Sequence, residues 1–221
     1  MDRRPLASRG WPAMHTLART VAKAGITPNA VSVAGMVAGI GAGVLLACTS
    51  RVDPGSVGER AMFIVAGACV QFRLVCNLID GMVAVEGGKR SAVGELYNEV
   101  PDRISDAAVL IGAGYAVTSS PTLGYAGALL AVFVAYVRAV GKGCGLASDY
   151  SGPMAKQQRM FVVTLACAML GAGPLALREA AAGMVRSGVM SAALWIVIAG
   201  SVLTAARRLR RIAASLRERG I

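Results

Sequence analysis

Histidine is almost missing from this chain, with one in 221 residues. The five cysteines, Cys48, Cys69, Cys76, Cys144 and Cys167, are odd in number and nowhere spaced as C-x-x-C. These two shortages argue against a structural zinc site and a disulfide framework. Four of the cysteines fall in apolar stretches, where they read as small packing residues. Charge is sparse too, at 16% of residues against the ~25% of ordinary globular domains. Aromatic residues make up only 5% and do not interleave with the basic blocks. The net charge of +11 therefore points to a membrane surface and not to nucleic acid. No signal-peptide pattern with a small-residue cleavage site opens the chain, so the first apolar span is expected to be retained.

What the chain has in abundance is apolar surface: 55% of residues are hydrophobic and the mean hydropathy is +0.58. This predicts an all-α integral membrane protein, with residues 1–221 forming a single domain. Six segments approach the ~20 residues that cross ~30 Å of hydrocarbon: 29–48, 61–79, 93–118, 123–140, 161–177 and 188–206. The third is the least apolar, but its polar residues share one face. Of the Lys and Arg residues, all but Arg51, Arg60, Arg73, Arg178 and Arg186 fall on one side of this layout. By the positive-inside rule, both termini and the basic tail 207–221 are then cytoplasmic.

In the segment 1–26, Met14, Leu17, Ala18 and Val21 recur at helical spacing, with Arg19 and Lys23 on the other side. The pattern predicts an amphipathic helix in the cytoplasmic interface, ahead of the six spans. A plain basic flank is the simpler alternative. Thr27, Pro28 and Asn29 provide capping chemistry for the first span. Gly35, Gly39 and Gly43 form a small-residue face suited to close helix packing, within the chain or between two copies.

The polar residues of 77–106 stand out against this background. Asn77 and Asp80 are i, i+3, while Asn98, Asp102 and Asp106 are i, i+4, i+8 on one face of the third span. A connection of about a dozen residues predicts that spans two and three are antiparallel neighbours whose polar faces meet. Ionisable groups inside a membrane cost ~2.5–3.5 kcal/mol each on insertion scales and by default mark function. The structural alternative is pairing of these acids with Arg73, Lys89, Arg90 and Arg103. Small residues at Gly81, Ala84 and Gly94 leave room for an anionic ligand near the backbone. Oxygen donors at a membrane edge suit Mg²⁺ or Mn²⁺, with ligands shared between protein and phosphates.

The stretch resembles the signature of the CDP-alcohol phosphatidyltransferases, D-x-x-D-G-x-x-A-R, eight residues, G-x-x-x-D-x-x-x-D. Asp80, Gly81, Ala84, Gly94 and Asp102 match it outright at every interval. Asn77 and Asn98 stand at the first and third aspartate positions, and Val85 stands where the family has Arg. The resemblance implies transfer of a phosphatidyl or related phospho-alcohol group from a CDP-linked lipid, such as CDP-diacylglycerol, to a hydroxyl acceptor, with release of CMP. It further implies Asp102 as catalytic base, and Asp80, Asp102, Asn77 and Asn98 as ligands of Mg²⁺ or Mn²⁺. Asp106 is the candidate that offsets the two amides, ahead of Glu99 and Glu95. Gly81, Ala84, Gly94 and Asn29 would line the CDP group.

Lys156 and Arg159, at the start of the fifth span behind a Gly-Pro turn, are candidates for binding an acceptor phosphate. Positive-inside flanking accounts for them equally well. Arg73 either joins them or pairs with Asp102 or Asp106. The resemblance also implies a homodimer in a bacterial-type inner membrane, with membrane lipids as surroundings. Two other functions stay open: a CDP-lipid-binding or partner-binding protein without turnover, suggested by the amides and Val85, and a small transporter with an acidic relay.

Overall fold

The computed structural model describes residues 11–86, 93–174 and 188–220, which are helical throughout apart from short connections. We label the helices α1 (Pro12–Lys23), α2 (Pro28–Cys48), α3 (Val57–Glu86), α4 (Gly94–Tyr115), α5 (Pro121–Gly143), α6 (Lys156–Ala172) and α7 (Gly188–Glu218). Four stretches, Pro28–Arg51, Val57–Val85, Pro121–Gly143 and Gly188–Glu218, are long and apolar enough to cross a membrane. The protein is an all-helical, multi-pass membrane protein. Large apolar side chains such as Val37, Leu129, Phe161 and Trp195 are exposed on its outer surface, as a lipid-facing surface requires. The basic tail continues α7 as far as Glu218.

The six long helices close into a ring. α2 packs against α3 and α4, α4 against α5, α5 against α7, α7 against α6, and α6 against α3. Leu46, Phe63, Leu110, Met160, Met190 and Leu194 are fully buried where these helices meet. Thr27 caps α2 as expected, its hydroxyl accepting from the Ala30 amide at 3.2 Å, with Pro28 in the first turn.

Two neighbour relations differ from the sequence reading. α3 and α4, expected to pack side by side, touch only sparingly, and α2 lies along both. The reason is steric. Arg73, Asp102 and Asp106 project between α3 and α4 and hold them apart, while the small face of α2 lets its backbone approach both. Secondly, α1 packs part of its apolar face on α3, while Leu17 stays exposed. Ala18 is fully buried against Leu78, Ile79, Met82 and Val83 of α3, flanked by Met14 and Val21.

The glycines of α2 serve packing within the chain. A Cβ at Gly39 would lie 2.6 Å from the Ser105 Cβ and 2.9 Å from the Arg73 Cδ. A Cβ at Gly43 would lie 2.3 Å from the Ala108 carbonyl oxygen. Gly43→Ala is therefore expected to lower stability by about 1–3 kcal/mol through overpacking against backbone that cannot retreat. Gly41 is the control, since a Cβ there meets nothing within 4 Å. Thermal unfolding of both variants in nanodiscs checks this, and equal melting temperatures would refute the assignment.

Candidate functional site

α3 and α4 bring the motif residues together at one end of the ring. Asn77 Nδ2 donates to Asn98 Oδ1 at 3.2 Å and to Asp102 Oδ1 at 2.8 Å. Asp80 is buried, with Oδ2 accepting from the Ser32 hydroxyl of α2 at 2.7 Å and Oδ1 from the Gly81 amide at 2.5 Å. A small pocket of about 10 Å³, the size of one water, lies among Ser32, Asn77, Asn98, Asp102 and Arg73. The first, third and fourth motif positions are thus in direct contact, and the second stands beside them on α3.

The cations around this cluster turn inward. Arg73 is 1% exposed and spans both aspartates of α4, with Nη2 at 3.3 Å from Asp102 Oδ1 and 2.6 Å from Asp106 Oδ1. Its Nε donates to the Ser105 hydroxyl at 2.5 Å. That hydroxyl donates in turn to the carbonyl of Pro101, inside α4. Arg159, also 1% exposed, donates through Nη2 to Asp106 Oδ2 at 3.0 Å and through Nη1 to the Met154 carbonyl. Lys156 Nζ donates to Asn77 Oδ1 and lies 2.5 Å from Asp102 Oδ2. Arg103 approaches the same oxygen at 3.5 Å. The pairing of Arg73 and Arg103 with these acids is therefore realised. Lys89, Arg90 and the side chain of Glu95 lie outside the described residues.

Of the remaining candidates, Ala84 is half-buried on α3, and Asn29 is half-buried in the first turn of α2, one turn before Ser32. A Cβ at Gly81 or Gly94 would meet nothing within 4 Å, so packing does not require glycine at either position. Both present bare backbone to open space, which is what the close approach of a ligand needs.

Sequence reading missed several contributors. Ser32 and Ser105 read as ordinary helix serines; the available signal was their helical spacing from Pro28 and Pro101, whose carbonyls they bond. Arg138, near the end of α5, pairs with Glu99 at 2.6 Å and stacks on Tyr150, 5.1 Å from the ring centroid. Arg208 of the tail is 4% exposed and donates to the carbonyls of Ser151 and Val134. It helps to fix the connection from α5 to α6. In that connection, Gly152 adopts φ +128 against Thr204, and the Met154 amide donates to the Thr204 hydroxyl. This turn aims the first residue of α6, Lys156, at the cluster. Partial burial pushes the Asp149 carboxyl up, but hydrogen bonds from Ser151 and the cations of Arg211 and Arg208 outweigh it and hold it below its ordinary value.

The donor set can be tested for a divalent ion. Among the described residues, no three His, Cys, Asp or Glu side chains converge to hold a metal by themselves. The donors here are two carboxylates and two amide oxygens. This set fits a Mg²⁺- or Mn²⁺-type ion that completes its shell with water and substrate phosphate. Asp80 is free of ion pairing within 4 Å among the described residues, whereas Asp102 and Asp106 are each flanked by cations.

A ring of membrane helices enclosing acids and amides at this spacing is the arrangement that the CDP-alcohol phosphatidyltransferase resemblance implies. The comparisons with known proteins agree. No family model matches the chain. Phosphatidylinositol phosphate synthase of Mycobacterium marinum is 27% identical, over 95% of this chain and 84% of that protein. The protein of the same name from Mycobacterium tuberculosis is 25% identical, over 96% and 92%. Solved structures of the M. tuberculosis synthase share the fold at 20% identity. The form with CDP-DAG bound has a TM-score of 0.66 and covers 90% of this chain and 92% of that one. The complex with manganese and citrate has a TM-score of 0.68 and covers 90% and 88%. The resemblance to the CDP-alcohol phosphatidyltransferases holds in sequence as well as in fold.

Proposed function

We propose that the protein transfers a phosphatidyl group from a CDP-linked lipid to an alcohol and releases CMP. The observation that carries this reading is the hydrogen-bonded set Asn77, Asn98 and Asp102, with Asp80 beside it and the open backbone of Gly81 nearby. The acceptor oxygen forms a bond to the lipid-bearing phosphorus, and the bond from that phosphorus to the bridging oxygen of the pyrophosphate breaks. The electron pair leaves with CMP. Asp102 receives the acceptor's proton, and its carboxylate is oriented for this by Asn77, Arg73 and Lys156. Asp80, with Asp102 and Asn98, would hold a Mg²⁺ or Mn²⁺ ion, which when bound neutralises charge on the pyrophosphate. Gly81, Ala84, Gly94 and Asn29 border the nucleotide. Asp106 anchors Arg73 and Arg159 and is assigned no metal.

The reading carries the finer architecture with it: six spans, including the charged α4 and the short α6, both termini cytoplasmic, and a bacterial inner membrane. Basic residues on one side of the span layout support the orientation. The homodimer implied by the resemblance has to use a surface other than Gly35, Gly39 and Gly43, which are buried within the chain.

The test is CMP release by the protein in lipid nanodiscs supplied with CDP-diacylglycerol, Mg²⁺ or Mn²⁺, and a panel of alcohols that includes inositol phosphate. Metal-dependent release is expected; CDP-lipid binding without release would support a protein that has lost turnover. Gly81→Ala separates site from scaffold. Nothing within 4 Å obstructs the added methyl, and alanine favours a helix by roughly 0.5–1 kcal/mol. Folding should therefore be kept, while donor affinity drops about tenfold, the equivalent of ~1.4 kcal/mol. Unchanged affinity would remove Gly81 from the nucleotide site.

A further inference from the structure

Lys156 occupies an unusual place. It opens α6, a helix that contributes none of the motif acids, yet its ammonium lies between Asn77 Oδ1 of α3 and Asp102 Oδ2 of α4. These are the first and fourth positions of the motif, where four aspartates would face divalent ions. The side chain is only 16% exposed, so the charge is held in the site and does not wander over the surface.

The amides fit this arrangement and not a four-carboxylate one. Asn77 turns its oxygen to Lys156 and its nitrogen to Asn98 Oδ1 and Asp102 Oδ1. An aspartate at position 77 has no proton to donate and would set a second negative charge against Asp102 at hydrogen-bond distance. Two amides remove two charges from the donor set, and the ammonium adds to Arg73 and Arg103 the nearest cation at Asp102. Asp80 is then the acid of the cluster with no cation within 4 Å among the described residues, its oxygens meeting the Ser32 hydroxyl and the Gly81 amide.

We propose that Lys156 takes the place of one divalent ion, so that the chain works with a single Mg²⁺ or Mn²⁺ at Asp80 and a built-in ammonium between Asn77 and Asp102. This rests on the transferase reading above and deepens it. The substitutions at positions 77 and 98 are then one half of an exchange whose other half is a lysine from a distant helix. Charge compensation at the transferring phosphate depends on where α6 sits, and Gly152, Thr204 and Arg208 set that position.

The experiment counts ions. The full chain in nanodiscs is titrated with Mn²⁺, with and without CDP-diacylglycerol, and bound Mn²⁺ is followed by electron paramagnetic resonance. One ion per chain is expected. The triple variant Lys156→Ala, Asn77→Asp, Asn98→Asp is expected to bind two, close enough to broaden each other's spectrum. Lys156→Ala alone provides a second readout should the triple variant fail to fold. Its CMP release should change from first-order to second-order dependence on Mn²⁺, with activity recovering as the ion is raised. Two ions in the unaltered chain, none, or first-order dependence in Lys156→Ala would overturn the proposal while leaving the transferase reading intact. Absence of CMP release from the unaltered chain defeats that reading instead, whatever the ion count.

Discussion

Asp102→Asn is expected to lower CMP release from CDP-diacylglycerol by about 10²- to 10⁴-fold, the range that a positioned general base contributes. The substitution keeps the size of the side chain and an oxygen at the end of it, so any loss traces to the charge and the lost proton acceptor. Asp102 is the residue on which the site converges: Asn77, Arg73, Lys156 and Arg103 all reach its two oxygens. The fold should survive, because Arg73 keeps Asp106 at 2.6 Å and Ser105 at 2.5 Å. Lys156 by contrast loses its carboxylate partner and keeps Asn77. CDP-lipid affinity and melting temperature are measured beside the rate. A rate within tenfold of the unaltered protein would dismiss Asp102 as base. A loss confined to affinity would make it a binding residue only.

The site was legible in the sequence to the extent that it lies along single helices. Spacing of i, i+3 and i+4 fixes which side chains share a face, and it put Asn77 with Asp80 and Asn98 with Asp102 without any knowledge of the fold. The small face of α2 was legible for the same reason. What lay beyond reach was the identity of neighbours. A short connection between α3 and α4 suggested direct packing, but the volume of Arg73 and the two acids keeps those helices apart, while three glycines draw α2 against both. Long cations were legible only as alternatives. Lys156 and Arg159 sit where flanking charges belong, and only the path of the turn at Gly152 decides that they reach inward. Ser32 and Ser105 were invisible because a helix serine carries no mark of the partner it will meet across 48 or 32 residues of sequence.

Asp106 gives the largest effect expected on stability. It is 1% exposed and wedged between Arg73 and Arg159, themselves 1% exposed, at 2.6 and 3.0 Å. Replacing it by leucine leaves two guanidinium groups buried around one missing charge. Breaking a buried pair in this way costs about 3–5 kcal/mol, because the surviving ion is left uncompensated. The two arginines are not affected equally. Arg73 retains Asp102 and Ser105, while Arg159 keeps its hydrogen bond to the Met154 carbonyl. Removing Arg159 together with Asp106 should therefore recover much of the loss, since apolar replacements of a buried pair are often nearly neutral. Asp106→Leu and the double variant Asp106→Leu, Arg159→Met are compared by thermal unfolding in nanodiscs. A double variant no more stable than Asp106→Leu would show that the penalty does not come from the stranded charge of Arg159. Recovery of stability without recovery of CMP release would assign Asp106 its function: through Arg73 and Arg159 it ties α3, α4 and α6 together one turn from Asp102, so that the carboxylate and the Lys156 ammonium meet in a fixed register.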